Sequence, residues 1–168
     1  LIFTDEALRT FETRYKMNPP IRSDIHRDAC VEGLVDGTID AVVTDHAPHE
    51  WEEKDQEFNL APSGFVGLET SVGAMLTHLY HTGIIDLMSL VNVMSTAQAK
   101  ILGLDAGVIA PGKDADLTIL DLDKEWTVDS SKFYSKGKST PFDEMIFKGK
   151  AAAAIVNGKF VMKNGEVL

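Results

Sequence analysis

Near residue 45, an acid and two imidazoles follow directly after a short apolar run. Residues 41–43 are apolar and favour β structure, and Asp45, His46 and His49 come next, with Pro48 preventing a regular continuation. A carboxylate can act as both a metal ligand and a proton carrier, and imidazoles can bind metals, donate hydrogen bonds or hold anions. The alternative is an aspartate that caps the next turn, followed by two surface histidines. The residues alone leave both interpretations open.

Composition limits the classes of protein to which the chain can belong. Its 168 residues carry a formal net charge of −10, with 44% hydrophobic and 25% charged residues. Such an acidic chain argues against a nucleic-acid-binding or anionic-membrane surface, since either would need a basic patch. No apolar run approaches the roughly 20 residues needed to span a bilayer. Cys30, the single cysteine, allows no intrachain disulfide and fits a reducing compartment, so we expect a cytoplasmic protein.

The first hundred residues predict short helices around one buried strand. Apolar spacing predicts a helix over about residues 5–15 and a second one from Ser23, ended by Gly37. Residues 41–43 are expected to form a strand buried on both faces. The charged loop over residues 50–62 is long for a plain connection, which favours a lid or a binding loop.

Three further helices are predicted beyond that loop. One runs to about Thr82 and carries His78 and His81, which are expected on its surface rather than as a metal pair. Asp86 should begin the next helix. Ser95 and Gln98 form the pattern of a capping box for the third, which should end at Gly103.

The pattern changes to β structure after residue 104. Strands are predicted at residues 115–122 and 126–128, and residues 129–149 are polar and resemble a loop. Two more strands, at 151–156 and 159–162, flank Asn157-Gly158, a strong hairpin signal. We therefore predict two regions, residues 1–104 and residues 105–168.

Four strings in the chain carry a resemblance to a known family. They are Lys16-Met17-Asn18-Pro19-Pro20-Ile21-Arg22, Thr44-Asp45-His46-Ala47-Pro48-His49, Gly67-Leu68-Glu69-Thr70 and Gly107-Val108-Ile109-Ala110-Pro111-Gly112-Lys113-Asp114-Ala115-Asp116-Leu117. Together they resemble the C-terminal half of class I (bacterial-type) dihydroorotases, in the amidohydrolase superfamily. The resemblance implies an α/β fold: residues 1–104 would be the C-terminal part of a metal-dependent (β/α)₈ TIM barrel. Residues 105–168 would then belong to a flanking β-sandwich-type unit.

The resemblance also implies an activity and its site residues. The reaction would be the reversible cyclisation of N-carbamoyl-L-aspartate to L-dihydroorotate in pyrimidine synthesis. Asp45 matches an aspartate that binds zinc and carries the proton. His49 and Asn18 match residues that contact the substrate, and Ser63 and Gly64 match a segment whose backbone faces the pyrimidine ring.

The remaining ligands for one or two zinc ions are not found in this chain, because the family carries them upstream of the matched region. We therefore expect the chain to need a missing N-terminal half, and to be inactive alone. The alternatives are another cyclic amidohydrolase, of the hydantoinase or allantoinase type, or a metal-free scaffold that partners aspartate transcarbamoylase. A homodimer is a further alternative.

Overall fold

The computed structural model describes residues 1–168, which divide into two compact units. Unit 1 comprises Leu1–Asp36, Thr44–Ser71 and Thr127–Ile146; unit 2 comprises Gly37–Val43, Val72–Trp126 and Phe147–Leu168. Each unit is assembled from three separate stretches, so neither is continuous in sequence. The predicted regions 1–104 and 105–168 stay a prediction. No helix has the length and apolar character needed to cross a membrane.

Unit 1 begins with two short 3₁₀ helices, Asp5–Thr10 and Thr13–Tyr15, rather than the predicted continuous helix over 5–15. Phe11 interrupts them: its backbone is left-handed, with φ of 54°, and its N–H closes a three-residue turn on the Leu8 carbonyl. Phe11 meets the ring of Phe58 edge-on at 6.0 Å. That aromatic contact is distant in sequence, so helical spacing alone could not reveal it.

Helix α1, Asp24–Asp36, confirms the prediction of a helix that follows Ser23 and ends at Gly37. Gly37 has a φ of +83°, the left-handed conformation that commonly ends helices. Only Gly33 and Leu34 are buried in this helix, and Ile25, Val35 and Cys30 are exposed. Helix α2, Trp51–Lys54, is a single turn. The third sequence stretch of unit 1 contains a 3₁₀ turn at Ser130–Lys132.

The helices of unit 2 each pass through a π-helical stretch. Helix α3, Ser71–Met75, continues as the π-helical segment Leu76–Tyr80. Helix α4, Leu87–Val91, continues through the π segment Asn92–Thr96 into α5, Ala97–Leu102.

The predicted caps of these helices had mixed outcomes. Asp86 does cap α4, accepting the Ser89 N–H at 2.7 Å, and Gly103 ends α5 with a φ of +66°. The capping box at Ser95 and Gln98 is wrong, because Ser95 lies inside the uninterrupted helical run. There, Gln98 donates its side-chain amide to the Val42 carbonyl instead.

The C-terminal residues form one four-stranded sheet in the order β1-β2-β3-β4. The strands are β1 Leu117–Thr127, β2 Ile146–Val156, β3 Lys159–Lys163 and β4 Glu166–Val167. The two strands predicted before residue 128 are thus a single strand. Strands β2, β3 and β4 pair antiparallel, with Val156 opposite Lys159 and Lys163 opposite Glu166.

The Asn-Gly turns confirm the predicted hairpin. Asn157 and Gly158 have φ of 49° and 74°, and Asn164 and Gly165 have φ of 53° and 85°. Positive φ at both central residues is what two-residue type I′ hairpins require. These residues supply one sheet, so a sandwich with a second layer stays a prediction.

The core of unit 2 lies where α3 meets β2. Phe147 and Leu76 are fully buried, and a Cβ added at Gly73 would come within 2.7 Å of the Phe147 ring. The Trp126 indole packs edge-on against Phe147 and donates to the Gly149 carbonyl at 3.0 Å. Small residues on α3 and β2 therefore let the helix and strand approach closely around one aromatic side chain.

Residues 41–43 do not form the predicted buried strand. The Val42 N–H donates to the Val93 carbonyl at 2.9 Å, but Val43 is 77% exposed. A strand is stabilised by hydrogen bonds to a neighbouring strand, and no parallel neighbour lies beside this segment among the described residues. The expectation of burial on both faces is therefore wrong for this structure.

Candidate active site

Asp45 occupies an unusual backbone position at the start of the candidate site. Its φ is +45°, a left-handed conformation that aspartate adopts more often than most residues other than glycine. The residue is exposed, and its carboxylate has no hydrogen-bond or ion-pair partner. This carboxylate is therefore free to bind a ligand or accept a proton.

His46 connects residues 44–49 to residues 67–70 through hydrogen bonds. Its Nδ1 accepts hydrogen bonds from the N–H groups of Gly67 at 3.1 Å and Leu68 at 3.3 Å. A ring nitrogen that accepts carries no proton, so the proton of neutral His46 lies on Nε2. His46 thus holds the chain at residues 67–68 against the segment that carries Asp45.

His49 lies against the segment that contains Ser63 and Gly64. Its Nε2 donates to the Ser63 carbonyl at 3.0 Å, and its Nδ1 is 3.4 Å from a Glu53 carboxylate oxygen. Gly64 has a φ of +126°, and a Cβ there would lie 2.7 Å from the Ala47 Cβ and 3.1 Å from Nε2 of His49. Only glycine fits at this position, so backbone and imidazole make direct contact.

The segment that precedes Gly64 is held by two lysines. Lys54, only 3% exposed, donates to the Pro62 carbonyl at 3.0 Å and the Gly64 carbonyl at 2.9 Å. Lys16 donates to the carbonyls of Phe58 at 2.7 Å and Asn59 at 3.1 Å. Burial, and to a smaller extent the charge of Lys16, lower the pKa of Lys54. The loop over residues 50–62 is thus an ordered part of unit 1.

Asn18 is close in sequence to Lys16, a residue whose backbone contacts this cluster. The Gly64 N–H donates to the Lys16 carbonyl at 2.9 Å, two residues before Asn18, whose side chain is exposed. Within unit 1 the structure therefore brings His49, Ser63 and Gly64 into contact and places the Asn18 segment beside Gly64.

Residues 133–140, predicted to be part of a polar loop, also contribute to the candidate site. The Glu69 carboxylate accepts the N–H groups of Tyr134 and Ser135, each at 3.0 Å. A Cβ added at Gly137 would come within 2.8 Å of the Pro48 Cβ and 2.9 Å of the His49 carbonyl oxygen. The only local signal was this glycine, since the contacts span 65 residues and more.

The described residues alone do not build a metal centre. No three histidine, cysteine or carboxylate side chains lie together in residues 1–168. His81 donates to the Leu122 carbonyl at 2.8 Å, and Nε2 of His78 is buried without a partner. Asp45 is suited to supply one ligand, because its carboxylate is free, but one carboxylate cannot satisfy a zinc ion that needs three or more protein ligands.

A separate cavity of about 520 Å³ opens in unit 1. Its charged lining is mixed, including Arg14 and Lys138 as well as Asp55 and Asp143. None of the predicted site residues lines this cavity. The candidate site is therefore the surface around Asp45, His49 and residues 63–64.

Comparison with known proteins defines the class of this chain. The model of the amidohydrolase family matches residues 8–161. The chain therefore belongs to the amidohydrolase family.

Two curated dihydroorotases are among the proteins to which the chain is similar. The chain is 51% identical over 158 residues to a dihydroorotase from Citrifermentans bemidjiense, covering 94% of this chain and 37% of the relative. It is 44% identical over 168 residues to a dihydroorotase from Bacillus subtilis, covering 100% of this chain and 39% of that protein. The chain thus spans less than two fifths of the length of these curated relatives.

Solved structures agree on the fold. An L-hydantoinase (dihydropyrimidinase) from Arthrobacter aurescens superposes with a TM-score of 0.93 at 37% identity, over 99% of this chain and 38% of that one. A dihydropyrimidinase from Brevibacillus agri gives a TM-score of 0.91 at 25% identity, over 100% of this chain and 38% of that one. The coarse prediction of an α/β amidohydrolase structure is therefore confirmed.

Proposed function

We propose that this chain is the part of a dihydroorotase that carries its catalytic aspartate and one wall of its substrate site. The observation that carries the proposal is the contact of His49 with Ser63 and Gly64, in the same unit as the free carboxylate of Asp45. Identity of 51% to a dihydroorotase supports it. The reaction is the interconversion of N-carbamoyl-L-aspartate and L-dihydroorotate, a step of pyrimidine synthesis.

Asp45 is proposed as a zinc ligand, with the other ligands supplied by residues outside this chain. A bound zinc ion would lower the pKa of a water molecule to about 7, which makes hydroxide available at neutral pH. The role of Asp45 itself is to hold a proton on a carboxylate oxygen and return it to the leaving amide nitrogen. Its exposed, unpartnered carboxylate suits this role, because no internal hydrogen bond has to be broken.

His49 and Asn18 are proposed to bind substrate rather than metal. In the structure, Nε2 of His49 donates to a carbonyl oxygen, so the same N–H can donate to a substrate carboxylate after a small movement. The exposed amide of Asn18 offers both a donor and an acceptor. Ser63 and Gly64 would contribute backbone groups that face the ring.

The surrounding architecture is proposed to be a (β/α)₈ barrel with a flanking β domain. Residues 1–104 would supply the last part of the barrel and residues 105–168 part of the β domain. A cytoplasmic location, a homodimer and a complex with aspartate transcarbamoylase also stay predictions.

A hydantoinase-type activity is the second candidate, because the L-hydantoinase structure has a TM-score of 0.93 with this chain. The substrates differ in one important group: dihydroorotate carries a ring carboxylate, which hydantoin and dihydrouracil lack. A site that uses a cationic or donor side chain to bind that carboxylate discriminates strongly against substrates that lack it.

The deciding experiment is a substrate panel. It uses the full-length enzyme, meaning these residues within a chain of the length of its curated relatives. Dihydroorotate, hydantoin, dihydrouracil and allantoin are compared by kcat/KM with zinc content measured in parallel. We expect dihydroorotate to be preferred by about 10⁴-fold, the order of discrimination given by leaving a polar group of the site unpaired. A preference for hydantoin would favour the second candidate, and absence of zinc and turnover would favour a scaffold.

A further inference from the structure

Lys54 is a buried cation whose role the proposed function does not explain. It ends the single turn of helix α2, and its ammonium group is bonded to two backbone carbonyls rather than to a carboxylate. Removing a charge from water without an opposite charge is costly, and an apolar residue of similar size would avoid that cost. A lysine in this position therefore needs a reason beyond packing.

The two carbonyls that Lys54 binds lie on either side of Ser63. The carbonyls of Pro62 and Gly64 both face the ammonium group, while the Ser63 carbonyl accepts from His49. The Gly64 N–H is also taken, because it donates to the Lys16 carbonyl. Every carbonyl in residues 62–64 is thus bonded within unit 1.

Peptide geometry then fixes the direction of the neighbouring N–H groups. The only cis peptide is Asn18-Pro19, so the peptides joining residues 62–63 and 64–65 are trans. In a trans peptide the C=O and the following N–H point in opposite directions. Because the carbonyls of Pro62 and Gly64 point to buried Lys54, the N–H groups of Ser63 and Phe65 point away from it. Neither N–H has an acceptor in the structure, and Ser63 is exposed.

We propose that Lys54 is a positioning residue that presents the N–H groups of Ser63 and Phe65 as hydrogen-bond donors to the oxygen atoms of the substrate. The proposal rests on the proposed function, since it assumes that the ring of a cyclic amide binds beside residues 63–64. One buried ammonium sets the orientation of two peptide groups at once. The rest of unit 1 supports the lysine: Glu50 and Glu53 form a capping box on α2, and Thr13 donates to the Lys54 carbonyl at 2.5 Å.

The test compares Lys54→Met with Lys16→Met in the full-length enzyme. Both variants remove a lysine that donates to two carbonyls of the same loop, but Lys16 holds Phe58 and Asn59, away from Ser63. The measurements are kcat and KM for dihydroorotate, zinc content, and hydrogen–deuterium exchange of peptides that cover residues 58–66. Thr13→Val, which perturbs the same turn less, replaces Lys54→Met if that variant fails to fold.

For Lys54→Met we expect faster exchange at the Gly64 and Val66 N–H groups, the hydrogen-bonded amides of residues 62–66, and a KM raised about 10-fold, with kcat within about 3-fold and zinc unchanged. Contacts to the non-reacting part of the ring are made in both ground state and transition state, so their loss raises KM. Thr13→Val should shift exchange and KM in the same direction by a smaller factor. Lys16→Met should speed exchange only near residues 58–59 and change KM less than 2-fold.

Two results would overturn the proposal while leaving the proposed function intact: unchanged exchange at 62–66, or faster exchange with an unchanged KM. Equal KM changes in the Lys54 and Lys16 variants would also overturn it, because the effect would then be general loosening of the loop. If the parent enzyme does not turn over dihydroorotate, the proposed function fails and the substrate role of Lys54 fails with it. The exchange data then still report whether Lys54 orders the loop.

Discussion

Nε2 of His49 lies 3.0 Å from the carbonyl oxygen of Ser63, which links two residues that are fourteen positions apart. The imidazole therefore donates to the chain in this structure, at the position where a substrate carboxylate would compete for the same N–H. A carboxylate oxygen of Glu53 lies 3.4 Å from the other ring nitrogen. His49 is thus oriented by its own unit before any ligand binds.

His49→Ala in the full-length enzyme should weaken dihydroorotate binding while leaving zinc in place. Losing one hydrogen bond to a charged group costs about 1.5–3 kcal/mol, which corresponds to a KM raised roughly 10- to 150-fold. Steady-state kinetics and metal analysis on the same preparation check this. Zinc lost together with activity would instead identify His49 as a metal ligand.

Asp45→Asn should remove nearly all turnover, because it removes the carboxylate that is proposed to carry the proton. Asparagine tolerates the left-handed backbone at φ +45°, so this substitution separates the charge from backbone strain better than alanine does. The measurement is kcat, with zinc content and thermal stability determined in parallel. A variant that kept more than about a tenth of the wild-type kcat would contradict the assignment, since general acid–base catalysis contributes roughly 10²-fold or more.

Acid should destabilise the full-length enzyme partly through His78. Burial lowers the pKa of His78 from its ordinary value of 6.5, so the folded state resists protonation that the unfolded chain accepts. Below pH 6.5 the unfolded state therefore binds more protons, and stability falls as pH falls from 6.5 towards the lowered pKa. His78→Leu should flatten the dependence of the unfolding midpoint on pH in this range. A pH dependence in His78→Leu as steep as that of the unmodified protein would contradict this explanation.

Close packing at Gly149 should make even one methyl group costly. A Cβ there would lie 2.5 Å from Cδ1 and 2.9 Å from Cβ of Leu76, whereas one at Gly112 would meet nothing within 4 Å. Both glycines have positive φ, so Gly112→Ala matches the backbone strain of Gly149→Ala. Overpacking costs about 1–3 kcal/mol, so Gly149→Ala should unfold roughly 5 °C lower than Gly112→Ala. Equal midpoints would show that Leu76 can move aside.

Residues 1–168 expressed alone should bind no stoichiometric zinc and hydrolyse no dihydroorotate. Only Asp45 is offered as a ligand, and large apolar side chains are exposed, among them Val43, Met88 and Ile109. Such surfaces favour aggregation or a loosely packed state. Metal analysis, turnover and light scattering check the isolated chain, and co-expression with the N-terminal part of a dihydroorotase should restore zinc and activity. A monomeric 168-residue protein with bound zinc and measurable turnover would refute this expectation.

Structural features that depend on residues close together in sequence were the ones predicted correctly. Asn157-Gly158 set a hairpin and Asp86 capped a helix because the deciding interactions lie within a few residues. The strand at residues 41–43 failed because its stability depends on neighbouring strands. The burial of Lys54 could not be foreseen, since a lysine between Glu53 and Asp55 has the pattern of a solvated loop.

The candidate site shows the same difference between features predicted from local sequence and features that depend on distant contacts. Asp45, His49, Ser63 and Gly64 were found through a resemblance, and the structure brings the last three into contact. The support from residues 133–140 depends on contacts more than sixty residues apart, which no local pattern encodes.

The contacts made by residues 133–140 limit which segments can be exchanged between this protein and its relatives without changing the candidate site. The boundary predicted at residue 104 is where a C-terminal segment from another amidohydrolase would be grafted. Such a graft would replace Gly137 and Ser139 together with the sheet, although Gly137 lies against Pro48 and His49, and the Val66 N–H donates to the Ser139 carbonyl at 2.9 Å. The grafted segment would thus change the residues that pack behind His49. Chimeras joined at residue 104 should therefore inherit part of their substrate preference from the grafted segment, which carries none of the proposed catalytic residues.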